Sequence, residues 1–198
     1  AFVNPVFDPR HSRLFPETNF WLDVKAGSQT IATTAERLFV TDDVLDLLRS
    51  MRPWLAEPPA EYGQLAVSLP PGSPEIGGIV GHEGGVWVHP QHRKRGLSVI
   101  LPHLSTALAR REWDIDWQTG IVRGTLGDCG MATWAYGFAH VEPCFEGYFP
   151  LTRSDDRSYF CYMNREELTA GLNLDVVARL LPDRHQQPRH ASALVEKR

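Results

Sequence analysis

Cysteine is scarce in this chain of 198 residues, and long apolar runs are missing altogether. Cys129, Cys144 and Cys161 are odd in number, widely spaced and free of any C-x-x-C pair. That argues against a disulfide framework and for free thiols in a reducing compartment. No apolar stretch reaches the length that crosses a bilayer, so no membrane partner is expected. An excess of positive charge is lacking too: 20 Lys and Arg stand against 24 Asp and Glu, a net charge of −4. Such a balance leaves no electrostatic footprint for nucleic acid. The opening stretch, AFVNPVFDPRHSRLFPE, has no charged segment running into an apolar one, so a cytoplasmic protein is expected. His82, His89, His92 and His103 have no cysteine or carboxylate at ligand spacing, so no metal is expected. Cys144 lacks a neighbouring cation or helix start that would make it a nucleophile.

What the chain does have is an ordinary globular composition, 42% hydrophobic and 22% charged, enough for one domain with a real core. Residues 1–19 hold three prolines and read as an irregular arm. Phe20, Leu22 and Val24 alternate with polar residues, and Ala26-Gly27-Ser28 supplies a turn, predicting a hairpin over 20–40. TDDVLDLLRSMRP predicts a short helix capped by Thr41, with Val44, Leu47, Leu48 and Met51 as its stripe. Five prolines between residues 58 and 74 mark a long connection around a strand at 64–69. A Gly-rich apolar strand then runs to Pro90, followed by a helix at 96–111 that Pro102 should kink. A strand at 117–125, a helix at 128–136 and strands at 138–149 and 158–163 complete the pattern. Asn164 and Glu167 form a capping box that opens a C-terminal helix to about Leu181, before a polar tail. Strands alternating with helices and closing on a strand pair predict an α/β or α+β sandwich on one mixed sheet.

One stretch carries chemistry. In HPQHRKRGLS a strand ends, three cations follow, and Gly96 opens a helix. The first amides of a helix lack internal partners and sit at its positive end, and glycine lets a ligand approach the backbone closely. Arg93, Lys94 and Arg95 add charge, so the segment reads as a phosphate or pyrophosphate site, or else as a solvated basic turn. Gly77, Gly78, Gly81, Gly84 and Gly85 in the preceding strand read as bulges or as close approach by a ligand.

With its surroundings, the stretch VWVHPQHRKRGLSVILPHLSTALA resembles the GCN5-related N-acetyltransferase (GNAT) family. The family's V-x-P is met by Val88-His89-Pro90, and its Q/R-x-x-G-x-G/A by Arg93-Lys94-Arg95-Gly96-Leu97-Ser98, with Ser98 departing from the last position. MATWAYGFAHVE, with Gly137-Phe138, is similar to the family's helix ending in a Gly-Phe pair, and Gly137 is a sensible helix cap on its own merits. The motif-bearing part spans residues 76–168, inside a domain over 20–168, with the arm at 1–19 before it and a helix and tail at 169–198 after it.

The resemblance implies a mostly antiparallel mixed sheet flanked by helices, with splayed central strands. It also implies transfer of an acyl group, acetyl by default, from acetyl-CoA to the primary amine of a small molecule or peptide. Pantetheine would bond the main chain of Val86, Trp87 and Val88, and pyrophosphate the amides of residues 94–98, Leu97 and Ser98 among them. The family's general base falls at His82, with Glu83 beside it; on a regular strand the two point to opposite faces, so only one faces the cleft. His82 has an unperturbed pKa near neutrality, whereas Glu83 would need desolvation. The family's acid position holds Thr133, leaving Tyr136 as a nearby candidate. The alternative is a non-catalytic acyl-CoA-binding module, with a histidine-based hydrolase as a third reading. Two features keep the alternative open: the unfilled acid position, and the lack of any counterpart in residues 1–19 to the family's first strand and the helices after it. Finally, His140, Glu142, Cys144, Glu146 and Tyr148 share one strand parity as a solvent face or an amine-binding wall, against a core face of Val141, Phe145 and Phe149. A homodimer is compatible with all of this.

Overall fold

A computed structural model describes residues 5–171; the far end of the expected C-terminal helix and the tail lie outside the described residues. Strand β1 (Asn19–Ala26) turns into the long β2 (Gln29–Thr41), which pairs antiparallel with β3 (Gly78–Val88). Between them lie α1 (Val44–Arg49) and the proline-rich connection. Helix α2 (Leu97–Trp113) then crosses over to β4 (Trp117–Arg123), parallel to β3. Helices α3 (Gly124–Asp128) and α4 (Met131–Trp134) precede the closing pair β5 (His140–Phe149) and β6 (Ser154–Asn164), and α5 (Arg165–Gly171) follows. The six strands run in the order β1-β2-β3-β4-β6-β5, with β3–β4 the single parallel contact, as expected of a mixed, mostly antiparallel sheet.

Each face of the sheet is covered by a different part of the chain. On one, α2 and its successors bury Ala109, Ile115, Ala132, Phe138, Cys161 and Leu168. The other is roofed by the arm, α1 and the proline-rich connection, which bury Phe7, Val44, Leu48, Met51, Leu65 and Val67. Arg37 pins this roof: its buried guanidinium donates to the carbonyls of Val6 (3.1 Å), Pro53 (2.7 Å) and Arg13 (3.2 Å). Phe7, 1% exposed, lies edge-on to Trp21 and stacks over His82. Phe7→Ala should therefore cost about 3 to 5 kcal/mol, read as a lower urea midpoint with unchanged slope.

Several local expectations are corrected. The cap of α1 is Asp43, which accepts the Leu45 amide at 2.7 Å, because Thr41 is still in β2. No strand forms at 64–69, although Leu65 and Val67 are buried there. The expected single helix at 128–136 is two short ones parted at Gly130 (φ 71°). On β5 the single core face fails at a bulge, where Pro143 pairs with Tyr159 and Phe145 with Ser158. Parity flips there: Val141 packs on the α2 side, whereas Cys144, Phe145 and Phe149 pack beneath the roof. The capping box is formed as read, with Asn164 N–H donating to Glu167 Oε2 and Glu167 N–H to Asn164 Oδ1.

Candidate active site

The site begins where β3 and β4 part company. Their parallel pairing covers Val80 to Glu83 against Trp117 to Gly120 and stops there, while β3 runs on to Val88 and β4 to Arg123. From that point β3 is held by β2 alone, at Trp87↔Thr33 and Val88↔Ala32. A bulge at Gly85 and Val86 turns β3 away, as three steps from Gly84 to Trp87 answer two from Ala35 to Thr33. The resulting fork opens into a cavity of about 400 Å³. Its β3 wall is Glu83 through Trp87, its β4 wall Gly120 through Arg123, and Trp21, Thr33, Leu126, Tyr136 and Phe138 complete it.

At the far end of β3 lies the basic turn. Gly96 takes a left-handed conformation (φ 77°) that most side chains would resist, and is the N-cap of α2, with no side chain to bond the helix's first amides. A Cβ there would meet only Ile100, at 4.0 Å, so the approach is open. The amides of Val99 and Ile100 both donate to Gly96 O, while those of Leu97 and Ser98 precede the first helical bond. Among the described residues no ion pair engages Arg93, Lys94 or Arg95, and Lys94 itself has φ 62°. The helix runs through Pro102 over its whole span. Gly137 (φ 81°) ends the α4 turn, its N–H donating to Thr133 O, and a Cβ there would strike the His103 ring at 2.5 Å.

These two features, a fork between parallel central strands and a helix opening at the end of its first arm, are features of a known architecture. The chain aligns with Arabidopsis thaliana NAA60 in complex with acetyl-CoA at a TM-score of 0.50 and 11% identity, over 75% of this chain and 77% of that one. This is the GNAT fold. The NAA60 complex with a bisubstrate analogue is also similar (TM-score 0.49, 11% identity, 74% of this chain and 75% of that one). So is a chimera of the Vibrio cholerae spermidine N-acetyltransferase SpeG with hSSAT (0.48, 9% identity, 78% and 71%). No family model and no curated protein sequence matches the chain.

Within this GNAT fold the two candidate bases part as strand alternation requires. Glu83 borders the cavity on the α2 side; His82 lies beneath the roof, outside the cavity, against Phe7 and Phe39. Thr119 Oγ donates to Gly81 O at 2.8 Å, so at 3.0 Å the His82 Nδ1 carries the hydrogen of their contact. Burial, aided by Arg37, pushes the imidazole down to about 3, and the value near neutrality that recommended His82 does not survive folding. Glu83 is pushed the other way, well above the ordinary carboxylate range, by burial and by the charge of Glu36.

Tyr136, the nearby candidate for the acid, stands on the cavity wall, just after α4 rather than within it. Burial and the neighbouring Glu83 raise its phenol, which keeps its proton. Val86 and Trp87 line the cavity, and Val88 follows at the end of the strand. Of the five strand glycines only Gly84 and Gly85 do so; Gly77, Gly78 and Gly81 are tight against Asp42, Asp116 and Gln118 instead. None of His140, Glu142, Cys144, Glu146 or Tyr148 borders the cavity: Glu142 accepts from Tyr162 and Ser73, and Cys144 is buried with its thiol pushed up to about 12. No helix among the described residues is long and apolar enough to cross a membrane. Sequence reasoning missed Trp21, Thr33 and Phe138 on the walls, and Glu36 behind Glu83. Trp21, a large aromatic left 41% exposed on a hairpin, was the available signal.

Proposed function

We propose that the chain is an acyl-CoA-dependent N-acyltransferase whose default donor is acetyl-CoA and whose acceptor is a primary amine of a small molecule or peptide. One observation carries the reading: the fork has a carboxyl at its apex and an unpartnered helix start at the end of the same strand. Such a strand can hold the donor along its length, with pyrophosphate at Gly96 to Ser98, Arg93 to Arg95 around it, and pantetheine on the main chain of Val86 to Val88. The thioester then falls in the cavity beside Glu83. The NAA60 structure was determined with acetyl-CoA, and the same donor is proposed here.

The chemistry needs a free amine. Its nitrogen attacks the thioester carbonyl, the C–S bond breaks, and the proton lost by nitrogen passes to Glu83 in its carboxylate form. The sulfur leaves as a thiolate and takes a proton from Tyr136, whose phenol is protonated in this setting, or from water. Tyr136→Phe should thus slow turnover by about tenfold while Glu83→Gln does far more. The walls of Trp21, Trp87 and Phe138 suit an acceptor with an apolar body. Free thiols at Cys129, Cys144 and Cys161 are consistent with a cytoplasmic setting.

Calorimetric titration with acetyl-CoA tests the reading, with 3′-dephospho-CoA and adenosine as controls. Micromolar binding, about −8 kcal/mol, that survives loss of the 3′-phosphate and disappears with adenosine is expected. No binding of acetyl-CoA would overturn the donor site. The second reading, a non-catalytic acyl-CoA-binding module, is favoured by the burial of Glu83 and the facing Glu36 charge, which raise its carboxyl toward the protonated form that is no base. A screen of amine acceptors against the Glu83→Gln variant decides between them.

A further inference from the structure

Glu83 does not stand alone under α2. Glu36 lies directly opposite it on β2, and both side chains are buried, at 0% and 5% exposure. Neighbouring strands are about 4.8 Å apart, so two carboxylates on directly paired residues would stand close enough to repel each other strongly. Their hydrogen bonds are unequal. Glu36 is fully served: Ser105 Oγ donates to Oε2 at 2.7 Å and Gln118 Nε2 donates to Oε1 at 2.9 Å. Glu83 has one contact, between Oε1 and Thr34 Oγ at 3.2 Å, and its Oε2 has no partner.

Thr34 decides where a proton sits. Its hydroxyl oxygen is also 3.2 Å from Gly84 O. A hydroxyl has one hydrogen to give, and a carbonyl can only accept. Two full hydrogen bonds, rather than one hydrogen split between two acceptors, form when Thr34 donates to Gly84 O and a protonated Glu83 donates to Thr34. Tyr136, after α4, and Cys161, on β6, are the other titratable groups close enough to feel Glu83, and neither brings a positive charge. Arg37 and His82 lie on the far face of the same two strands.

We propose that Glu36 and Glu83 hold a single proton between them, that it rests on Glu83, and that Glu36, as the anion served by Ser105 and Gln118, is the positioning residue that keeps it there. The proposal rests on the acyltransferase reading only for its consequence. In that reaction Glu83 becomes a base after losing this proton, so turnover rises toward alkaline pH. The causes of the shifts agree: burial raises both groups, Ser105 and Gln118 lower Glu36, and the Glu36 charge raises Glu83 further. The proton that rests on Glu83 stabilises the fold at low pH, a contribution lost as pH rises from the ordinary carboxylate range through the raised folded value.

The test uses the ligand-free chain of 198 residues and needs neither donor nor acceptor. Infrared difference spectra of wild type against Glu83→Gln at neutral pH should show the carbonyl band of one protonated carboxylic acid. In Glu36→Gln the same band should vanish on titration at a pH at least one unit lower, because the charge opposing ionisation is gone. Thermal unfolding of Glu36→Gln should also show a smaller fall in stability than the wild type as pH rises above the ordinary carboxylate range. No protonated carboxyl in the wild type at neutral pH overturns the shared proton. A band whose titration Glu36→Gln leaves in place overturns the role of Glu36. Should Glu36→Gln fail to fold, Thr34→Val serves: the band should persist at a shifted frequency, and an unmoved band overturns its placement. Acetyl-CoA calorimetry is independent of all three, so failure of the donor site and failure of the carboxyl pair are told apart.

Discussion

Gly96→Asp is expected to weaken acetyl-CoA binding by at least about 100-fold, roughly 2.7 kcal/mol or more. Two costs combine in one residue, at a backbone conformation (φ 77°) that Asp and Asn tolerate. The new Cβ enters space that is open apart from Ile100, where a pyrophosphate would lie. The carboxylate then faces phosphate, and like charges brought together cost several kcal/mol. The control is Gly96→Asn, which tolerates the conformation and has similar bulk without the charge. Asn should cost about tenfold or less. Equal losses in both variants would point to bulk alone, and retained affinity in Gly96→Asp would remove the pyrophosphate from this turn. Far-ultraviolet circular dichroism should be unchanged in both, since the position is at the surface and caps nothing with a side chain.

Glu83→Gln is expected to lower turnover by about 10² to 10⁴ while acetyl-CoA affinity stays within about threefold. The substitution conserves shape, and Gln can donate to Thr34 as a protonated Glu83 would. It cannot accept a proton from an amine. Stability should hold or improve, because the variant removes one of two facing buried carboxyls. His82→Gln separates the neighbours. It lies outside the cavity, so its effect should appear in the unfolding midpoint, not in turnover at a temperature where it is folded. Because the imidazole is held down to about 3, wild-type stability falls as pH drops from about 6.5 toward 3, and His82→Gln should flatten that acid limb. Turnover that survives Glu83→Gln and disappears with His82→Gln would reverse the assignment.

The proposed donor half of the site was legible in sequence because it is local. Strand, cations, glycine and helix follow one another over Val86 to Leu108, and each has its own signature: alternation, charge, backbone freedom and helical spacing. The proposed acceptor half is built by pairing across the sheet, which no short window contains. Trp21 reaches the cavity from β1, Thr33 from β2 and Phe138 from beyond α4. Glu36 was passed over because AERLFV reads as an ordinary charged pair. Its burial follows only from the register that sets Glu36 opposite Glu83 and lays α2 across both. Strand alternation foretold that His82 and Glu83 would part, but not which would meet the cavity, since that depends on the side α2 takes. On β5 one bulge was enough to divide a predicted face between two cores.

The fork also divides one strand into two mechanical regimes. From Val80 to Glu83, β3 is laced to a neighbour on both sides; from Gly84 onward it is laced on one. The outer half is a loose leaf hinged on Glu83, with no strand among the described residues paired to it on the β4 side. Its amides should exchange with deuterium quickly while those of the inner half stay protected. A donor lying along the leaf would close that edge as a strand does, so occupancy can be read as slowed exchange at Val86 to Val88 before any acceptor is known.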